Sequence, residues 1–462
     1  HRPVAFVDDQ RSMQGAVINS LPVVAPSALP ALVRKWQGAS VLLAIPSASR
    51  KRRQEILASL LPLGVHVKSL PDMSEIISGD ARPDDIRELD VGDILGRDSV
   101  RPNGALFAAC IRNKSVMVTG AGGSIGSELC RQILRNGPRR LVLFEVSEIA
   151  LYNLERELSM IIGAEGLGIE LIPLLGDAKR RDRILPAMSA YGVQTVYHAA
   201  AYKHVPIVEN NICEGILNNV QGTLNCINAA VAHKVSQFIL ISTDKAVRPT
   251  NVMGASKRVA EMILQERAQS QKSTKISMVR FGNVLGSSGS VVPRFRQQIE
   301  SGGPITLTHA EITRYFMTIP EATQLVMQAG AMGGNGEVFL LDMGEPVKII
   351  ELARRMVELS GLKVKDANNQ GDIEINITGL RPGEKLYEEL LIGEQPIATD
   401  HPEIFMGMED FLPTQVLTTL IEELIGVCKE GKSDEAFKLI HSLIRMNKTE
   451  EVLDQFNVAS GE

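Results

Sequence analysis

Thr243, Asp244 and Lys245 set a hydroxyl, a carboxylic acid and an amine in consecutive positions, straight after the apolar run that ends at Ile241–Ser242. That trio can move two protons at neighbouring atoms of one substrate. Asp244 is the candidate acid and Lys245 the candidate base. Their ordinary pKa values are about 3.9 and 10.4, so both must shift to act near neutrality. Burial is expected to move both usefully, because desolvation disfavours either charge, and adjacent groups titrate as a pair. The competing reading is a strand-end turn in which Thr243 and Asp244 cap the next helix and Lys245 lies in solvent.

What could sit opposite that trio is read from Met117–Val118–Thr119–Gly120–Ala121–Gly122–Gly123–Ser124–Ile125–Gly126–Ser127–Glu128–Leu129. An apolar run from Ser115 reads as a buried parallel strand, a glycine-dense turn stops it, and Ile125, Leu129, Ile133 and Leu134 carry helical spacing. Strand, glycine turn and helix in that order make a cradle for a pyrophosphate, with free N–H groups at the helix start facing the anion. The candidate contacts are Thr119, Gly120, Gly123, Ser124, Ile125 and Gly126. Glu145 ends the second strand, about 25 residues on, where a carboxylate accepts ribose hydroxyls and repels a 2′-phosphate. That favours NAD over NADP. Gly176–Asp177 ends the third strand, where Asp177 can cap the adenine. Ala199–Ala200–Ala201 ends the fourth, where small side chains let the backbone run beneath a cofactor.

These residues need a scaffold. Strands are expected at 115–119, 140–145, 169–175, 194–199, 236–242 and 276–281 with helices between them, which makes a doubly wound α/β parallel sheet. Before it, strand-like runs at 3–8, 40–45 and 65–69 alternate with helical patterns near 27–37 and 49–61, a smaller Rossmann-like α/β layer. The expected domains are 1–98, that truncated N-terminal layer; 99–113, a linker; 114–283, the NAD-binding core; 284–410, a smaller substrate-binding lobe; and 411–462, a helical tail with Gly431 between two amphipathic helices. The first of these reads as a docking or scaffolding domain without a ligand of its own, and the tail as a packing or oligomerisation element.

Composition narrows the class. The 462 residues carry 44 % apolar and 22 % charged residues and a net charge of −5. That is ordinary for a globular protein and gives no basic field for nucleic acid. Five scattered cysteines (Cys110, Cys130, Cys213, Cys226, Cys428) show neither a metal spacing nor a disulfide framework. No apolar run is long enough to span a membrane. The chain opens at His1–Arg2–Pro3, and Val4–Asp9 already reads as the inside of a fold, so a longer parent protein is expected, with room for membrane helices.

The glycine pattern Thr119 to Gly126 resembles that of the extended short-chain dehydrogenase/reductases. That family carries a Tyr-x-x-x-Lys pair in which the tyrosine moves the hydroxyl proton and the lysine holds the nicotinamide ribose. Here the matching stretch is Met253–Gly254–Ala255–Ser256–Lys257. Lys257 is kept, and Met253 cannot move a proton. Taken alone, that exchange points to a non-catalytic relative. The Thr-Asp-Lys trio points the other way, since it resembles the nucleotide-sugar 4,6-dehydratases. Oxidising C4 of a hexose acidifies the C5 proton. A base then removes it while an acid protonates the leaving C6 hydroxyl. The resemblance leaves Thr243, a water or Lys257 to relay the C4 hydroxyl proton.

Further along, Lys203–His204–Val205–Pro206 follows the fourth strand, and Arg280–Phe281–Gly282–Asn283–Val284 ends the sixth. Gly286–Ser287–Ser288–Gly289–Ser290–Val291 suits a diphosphate through its backbone amides. Arg314 and Arg381 can fork onto phosphate, and Glu384 can take a ribose hydroxyl. With Gly379–Leu380–Arg381–Pro382–Gly383–Glu384–Lys385–Leu386, these stretches resemble the bacterial capsule and protein-glycosylation UDP-N-acetylglucosamine 4,6-dehydratases over roughly 114–405. The resemblance implies bound NAD and a UDP-sugar substrate held by Lys203, His204, Asn283, Ser287, Ser290, Val291, Arg314, Arg381 and Glu384. Ser147, Ala178 and Asn219 join the cofactor set. It further implies a 4-keto-6-deoxy product that feeds di-amino sugars such as bacillosamine, a homodimer or higher homo-oligomer through the helices beside the fourth and fifth strands, and a membrane-anchored native protein at the cytoplasmic face of the bacterial inner membrane. Two rivals stay open, a UDP-sugar 4-epimerase and an NAD-binding scaffold. Loss of water separates the first, and absence of turnover the second.

Overall fold

The computed structural model describes residues 2–36, 38–45, 47–71, 86–89, 92, 103–391, 396–409 and 411–446. Of the linker expected at 99–113, residues 99–102 lie outside them, and Gly104–Ala109 forms a short helix. The chain divides into two units. One takes its residues from His1–Asp98, Val291–Ala310 and Lys348–Gly379, and the other from Ser99–Ser290, Glu311–Val347 and Leu380–Glu462. Two stretches of the expected substrate lobe, one of them opening at Val291, therefore group with the N-terminal residues instead of with the remainder of that lobe.

In the first unit, Ser40–Leu43 and His66–Ser69 pair in parallel and Arg87–Glu88 adds antiparallel. The helix Arg50–Leu60 joins the first two strands, and the Ser49 hydroxyl caps it by accepting from the Arg52 N–H. Phe6–Val7 pairs in parallel with Leu21–Val24, which turns back on Val17–Ile18.

The second unit is built on a nine-stranded sheet. Its strands in chain order are β1 (Ser115–Thr119), β2 (Arg140–Glu145), β3 (Glu170–Leu175), β4 (Thr195–His198), β5 (Gln237–Ile241), β6 (Lys275–Arg280), β7 (Asn335–Leu341), β8 (Ile397–Ala398) and β9 (Ile404–Gly407). The first six are the expected ones, with ends displaced by no more than one residue. The spatial order is β8-β9-β7-β6-β5-β4-β1-β2-β3. From β7 to β3 the neighbours run parallel, and β9 and β8 close the far edge antiparallel. The chain order reverses between β1 and β4, which is where such sheets bind ligands, beyond the carboxyl ends of the strands.

Successive strand side chains feed opposite faces. Val116, Val118, Leu141 and Leu143 enter a core with Leu129, Ile133 and Leu154. Met117, Val142 and Phe144 enter another with Ile227, Val259 and Ile263. The first core carries α1 (Ser124–Arg135), α2 (Glu148–Glu165) and α6 (Ile319–Met332), and the second carries α3 (Arg181–Ala190), α4 (Gly222–Ala232) and α5 (Val252–Ser270). Burying each such side chain contributes roughly 1.5–3 kcal/mol. The tail forms α7 (Thr414–Lys429) and α8 (Ser433–Met446), whose Leu417, Ile421, Leu424 and Ile440 join the second core. Both pack on the helical segment after β4, and α8 also packs on α5. Among the described residues, no helix is long and apolar enough to cross a membrane.

Candidate active site

The cradle is set by steric fit. Gly120 has φ +66°, and a Cβ there would come 2.7 Å from the Ala200 backbone. At Gly126 a Cβ would lie 2.0 Å from the Gly120 carbonyl oxygen. The turn, α1 and the Ala199–Ala201 run thus approach one another as only glycine permits. The residue before α1, Gly123, has no side chain to cap it, so the first N–H groups of the helix face outward for an anion.

Several residues expected on a cofactor prove to hold the scaffold. The Thr119 hydroxyl lies 2.7 Å from His198 Nδ1, and His198 Nε2 lies 3.1 Å from the Thr223 hydroxyl. Burial pulls His198 down to about 3, so it is a neutral link between β1, β4 and α4. Glu145 Oε2 accepts the Gly122 N–H at 2.8 Å, and its Oε1 accepts the N–H groups of Val146 and Ser147. It shapes the glycine turn, and only its remaining lone pairs are left for a ribose. The Ser147 hydroxyl caps α2, and Asp177 accepts from the Lys179 N–H at 2.8 Å. Ala178 is buried beside Gly222. Asn219 sits in a one-turn π segment, Leu217–Gln221, and clamps Tyr202 through both its N–H and its C=O. It also donates to the Ser256 hydroxyl at 2.9 Å. π turns of this kind recur at functional sites.

The trio occupies the turn that leaves β5. Thr243 Oγ1 donates to Asp244 Oδ1 at 2.9 Å. Asp244 is fully buried and its N–H is held by the Phe281 carbonyl. Lys245, 23 % exposed, places Nζ 3.0 Å from Asp244 Oδ1, 3.3 Å from Asn283 Oδ1 and 3.3 Å from Glu388 Oε1. One expectation needs correcting here. Burial alone would pull the lysine down, but Asp244 and then Glu388 outweigh it, and the amine is held above its ordinary range as an ammonium.

Met253 is buried in the first turn of α5, a helix that Asn251 caps by accepting the Gly254 N–H at 2.8 Å. One turn on, Lys257 Nζ donates to the Ile241 carbonyl at 2.6 Å, and burial pulls it down to about 8. The amine therefore lies directly beneath the strand that carries the trio.

On the expected substrate side, Lys203 and His204 are exposed at the rim, and the His204 ring packs on Gly289. The Ser288 N–H lies 3.3 Å from the Ser124 hydroxyl, which puts the 286–290 loop against the start of α1 and so beside the cradle. Ser287 is buried, and Ser290 Oγ finds no partner among the described residues. Arg314 reaches Glu384 at 3.5 Å and Glu388 at 3.5 Å. Arg381 is exposed, and its N–H is taken by Glu384. Lys385 donates to the Val247 carbonyl at 2.8 Å and Thr250 to that of Gly383, which docks this segment on the turn after the trio. Val291 opens a helix of the other unit.

Sequence reasoning missed Glu388, Glu261 and Glu409. Glu261 and Glu409 flank Arg280 beneath the trio. Nothing in the spacing of Tyr387–Glu388–Glu389–Leu390 marks an acid facing Lys245.

The family model described as "Polysaccharide biosynthesis protein" matches residues 116–409. A capsular polysaccharide biosynthesis protein, CapD of Staphylococcus aureus, is 44 % identical over 431 residues, 92 % of this chain and 70 % of that protein. A UDP-glucose 4-epimerase of Rickettsia rickettsii is 34 % identical over 290 residues, 62 % of this chain and 80 % of that one. Among solved structures, Pen from Bacillus thuringiensis is 33 % identical with a TM-score of 0.55, covering 64 % of this chain and 88 % of its own. DesIV of Streptomyces venezuelae, a dTDP-glucose 4,6-dehydratase seen with NAD, covers 60 % of this chain and 87 % of its own at 20 % identity and TM-score 0.50, a likeness of fold. The motif-bearing sheet, the matched span and the CapD relationship together place this chain in the polysaccharide biosynthesis protein family.

Proposed function

We propose that this chain catalyses the NAD-dependent 4,6-dehydration of UDP-N-acetylglucosamine to UDP-2-acetamido-2,6-dideoxy-4-keto-hexose. The observation that carries the reading is the fully buried Asp244, whose Oδ2 finds no hydrogen-bond partner among the described residues, beside the Lys245 amine at the carboxyl end of β5. An epimerase has no use for a second acid–base pair at that position. The cradle of Gly120, Gly126 and Ala200, which a Cβ would fill, fits a dinucleotide pyrophosphate, and Glu145 at the end of β2 fits the unphosphorylated ribose of NAD. When bound, NAD supplies a reversible hydride acceptor.

The side chains then divide the proton work. Thr243, a water or Lys257 takes the C4 hydroxyl proton. Lys245 removes the C5 proton once C4 is a carbonyl. Asp244 protonates the departing C6 hydroxyl, and water leaves. Arg314 and Arg381 are the cations offered to the diphosphate, with His204 at the rim beside the 286–290 loop.

Incubation with UDP-N-acetylglucosamine in D2O tests this. The expected product has lost one water, carries solvent deuterium at C5 and holds the former C4 hydrogen at C6. The 34 % identical UDP-glucose 4-epimerase supports a second reading, in which the sugar is inverted at C4. A product of unchanged mass would establish that reading and refute dehydration.

A further inference from the structure

Glu388 lies far along the chain from the Thr-Asp-Lys turn, yet its carboxylate is part of the same cluster. Its side chain is 3 % exposed, and Oε1 lies 3.3 Å from Lys245 Nζ and 3.5 Å from Arg314 Nε. The cluster holds two carboxylates, Asp244 and Glu388, and two cations, Lys245 and Arg314. Each carboxylate spends one oxygen on the cations. The other, Asp244 Oδ2 or Glu388 Oε2, is buried and finds no hydrogen-bond partner among the described residues. A buried carboxylate oxygen without a donor is costly, so each is an open acceptor within the cluster. Meanwhile the lysine expected as the base rests as an ammonium, clamped from both sides. An ammonium has no lone pair and cannot take a proton from carbon. Its own proton must first go somewhere within reach.

We propose that Glu388 is the positioning residue that accepts this proton, freeing the Lys245 amine to act at C5, and returns it at the end of the cycle. The proposal rests on the function proposed above. The balance is simple. An N–H bond of Lys245 breaks and an O–H bond forms on Glu388. The amine then takes the C5 proton, and the C–H electron pair flows toward the C4 carbonyl. After C6 has been reduced, the ammonium gives its proton to C5 and Glu388 restores the ammonium. Asp244 gains the C4 hydroxyl proton by way of Thr243, which lies on its Oδ1, and passes it to the departing C6 hydroxyl. Arg314 lies on the same carboxylate oxygen of Glu388 as Lys245, so a substrate diphosphate that draws the guanidinium away leaves Glu388 to Lys245.

The test uses the full chain and the variants Glu388→Gln and Glu388→Asp. Short acetic anhydride pulses across a pH series, with the Lys245 peptide read by mass spectrometry, report the free amine without any substrate. Asp244, Glu388 and Arg314 are the charged groups facing it, so loss of one anion in Glu388→Gln lowers the labelling midpoint by about one pH unit, a tenfold gain in neutral amine. Despite that gain, solvent deuterium uptake at C5 falls about 100-fold or more, because the proton acceptor is gone, while reduction of the nicotinamide by the C4 hydrogen is retained. Glu388→Asp restores part of the exchange. An unchanged midpoint, or C5 exchange in Glu388→Gln as fast as or faster than in the native chain, overturns the proposal. If the native chain converts no UDP-N-acetylglucosamine, the reading of function fails, and the labelling midpoint alone decides whether Glu388 governs Lys245.

Discussion

Glu261 and Arg280 face each other at 2.6 Å with neither side chain open to solvent. Glu261 comes from α5 and Arg280 ends β6. The guanidinium forks onto Glu261 on one side and onto Glu409, just past β9, on the other. Glu261 also accepts the Ser242 hydroxyl at 2.6 Å. Ser242 immediately precedes the trio, so a buried ionic knot beneath the sheet edge fixes where Thr243 and Asp244 begin.

Breaking such a knot is expensive even though forming it gains little, because loss of Glu261 leaves two buried cations, Arg280 and Arg258, sharing the carboxylate of Glu409. Glu261→Gln is expected to destabilise the second unit by about 3–5 kcal/mol in urea unfolding. The pH dependence follows from the same pair. Burial pushes Glu261 upward, but Arg280 outweighs it and holds the carboxyl below its ordinary range. A carboxyl depressed in the folded state contributes stability above its unfolded pKa and loses it as pH falls through the folded value. The native chain should therefore lose stability toward acid below the ordinary carboxyl range, and Glu261→Gln should show a shallower slope there. Equal slopes would mean that the ion pair carries no linkage.

The cradle makes a sharper prediction from contact distances. Gly126→Ala puts a methyl 2.0 Å from the Gly120 carbonyl oxygen, a backbone atom that cannot step aside. Calorimetric titration with NAD should show affinity down by more than about tenfold, roughly 1.4 kcal/mol. Gly163→Ala, inside α2 with open space around it, is the control. It should leave affinity alone and stabilise the helix by about 0.5–1 kcal/mol. Matching losses from both would locate the effect outside the cradle.

The parts of the sequence that could be read are those whose physics is local. Five of the six core strands are buried on both faces, the edge strand β3 being half-exposed, and all six are bracketed by glycine, proline or charged turns, so their apolar runs mark them almost to the residue. Asn335–Leu341 is just as buried, but it follows a long irregular stretch and pairs with β6 across it, so its membership of the sheet is a tertiary fact. The same reason hid Glu388, which is brought to Lys245 by the docking of residues 383–389 on the turn after the trio. Glu145 and Thr119 stand at the expected strand ends, yet their polar atoms are spent on the backbone of the glycine turn and on His198. Position could be read from pattern, whereas the direction of a hydrogen bond could not. The pairing of 291–310 and 348–379 with the N-terminal residues likewise has no local signature.

Lys257 gives a pH signature of the same sign as that of Glu261, in an alkaline window instead of an acidic one. Burial pulls it down to about 8 from 10.5, against a smaller upward pull from Glu261. Between those two values the unfolded chain binds one more proton than the folded chain. By linkage, stability rises with pH across that window and is flat below it. Lys257→Met should abolish the rise. The same amine, neutral above about pH 8, can relay the C4 hydroxyl proton, so the rate of C4 oxidation should climb through that pH. If Lys257→Met removes the stability slope but leaves the kinetic climb in place, the relay belongs to Thr243 or water.

Asp244 separates the two halves of the proposed cycle. Its carboxyl is fully buried, holds Thr243 and Lys245 through Oδ1 and keeps Oδ2 free of protein partners among the described residues. Gly282 makes room for it, since a Cβ there would lie 3.2 Å from Oδ2. Asp244→Asn keeps that shape and removes the transferable proton. Oxidation at C4 does not need the proton, so reduced nicotinamide should accumulate on mixing with UDP-N-acetylglucosamine. Protonation of the C6 hydroxyl does need it, so water loss should fall by about 10²–10⁴, the usual range for a positioned general acid. Stopped-flow absorbance and mass spectrometry of the quenched sugar read the two halves separately. Equal loss of both would move Asp244 from the acid's role to that of a scaffold for the turn, and unchanged water loss would give the acid's role to another group in the cluster.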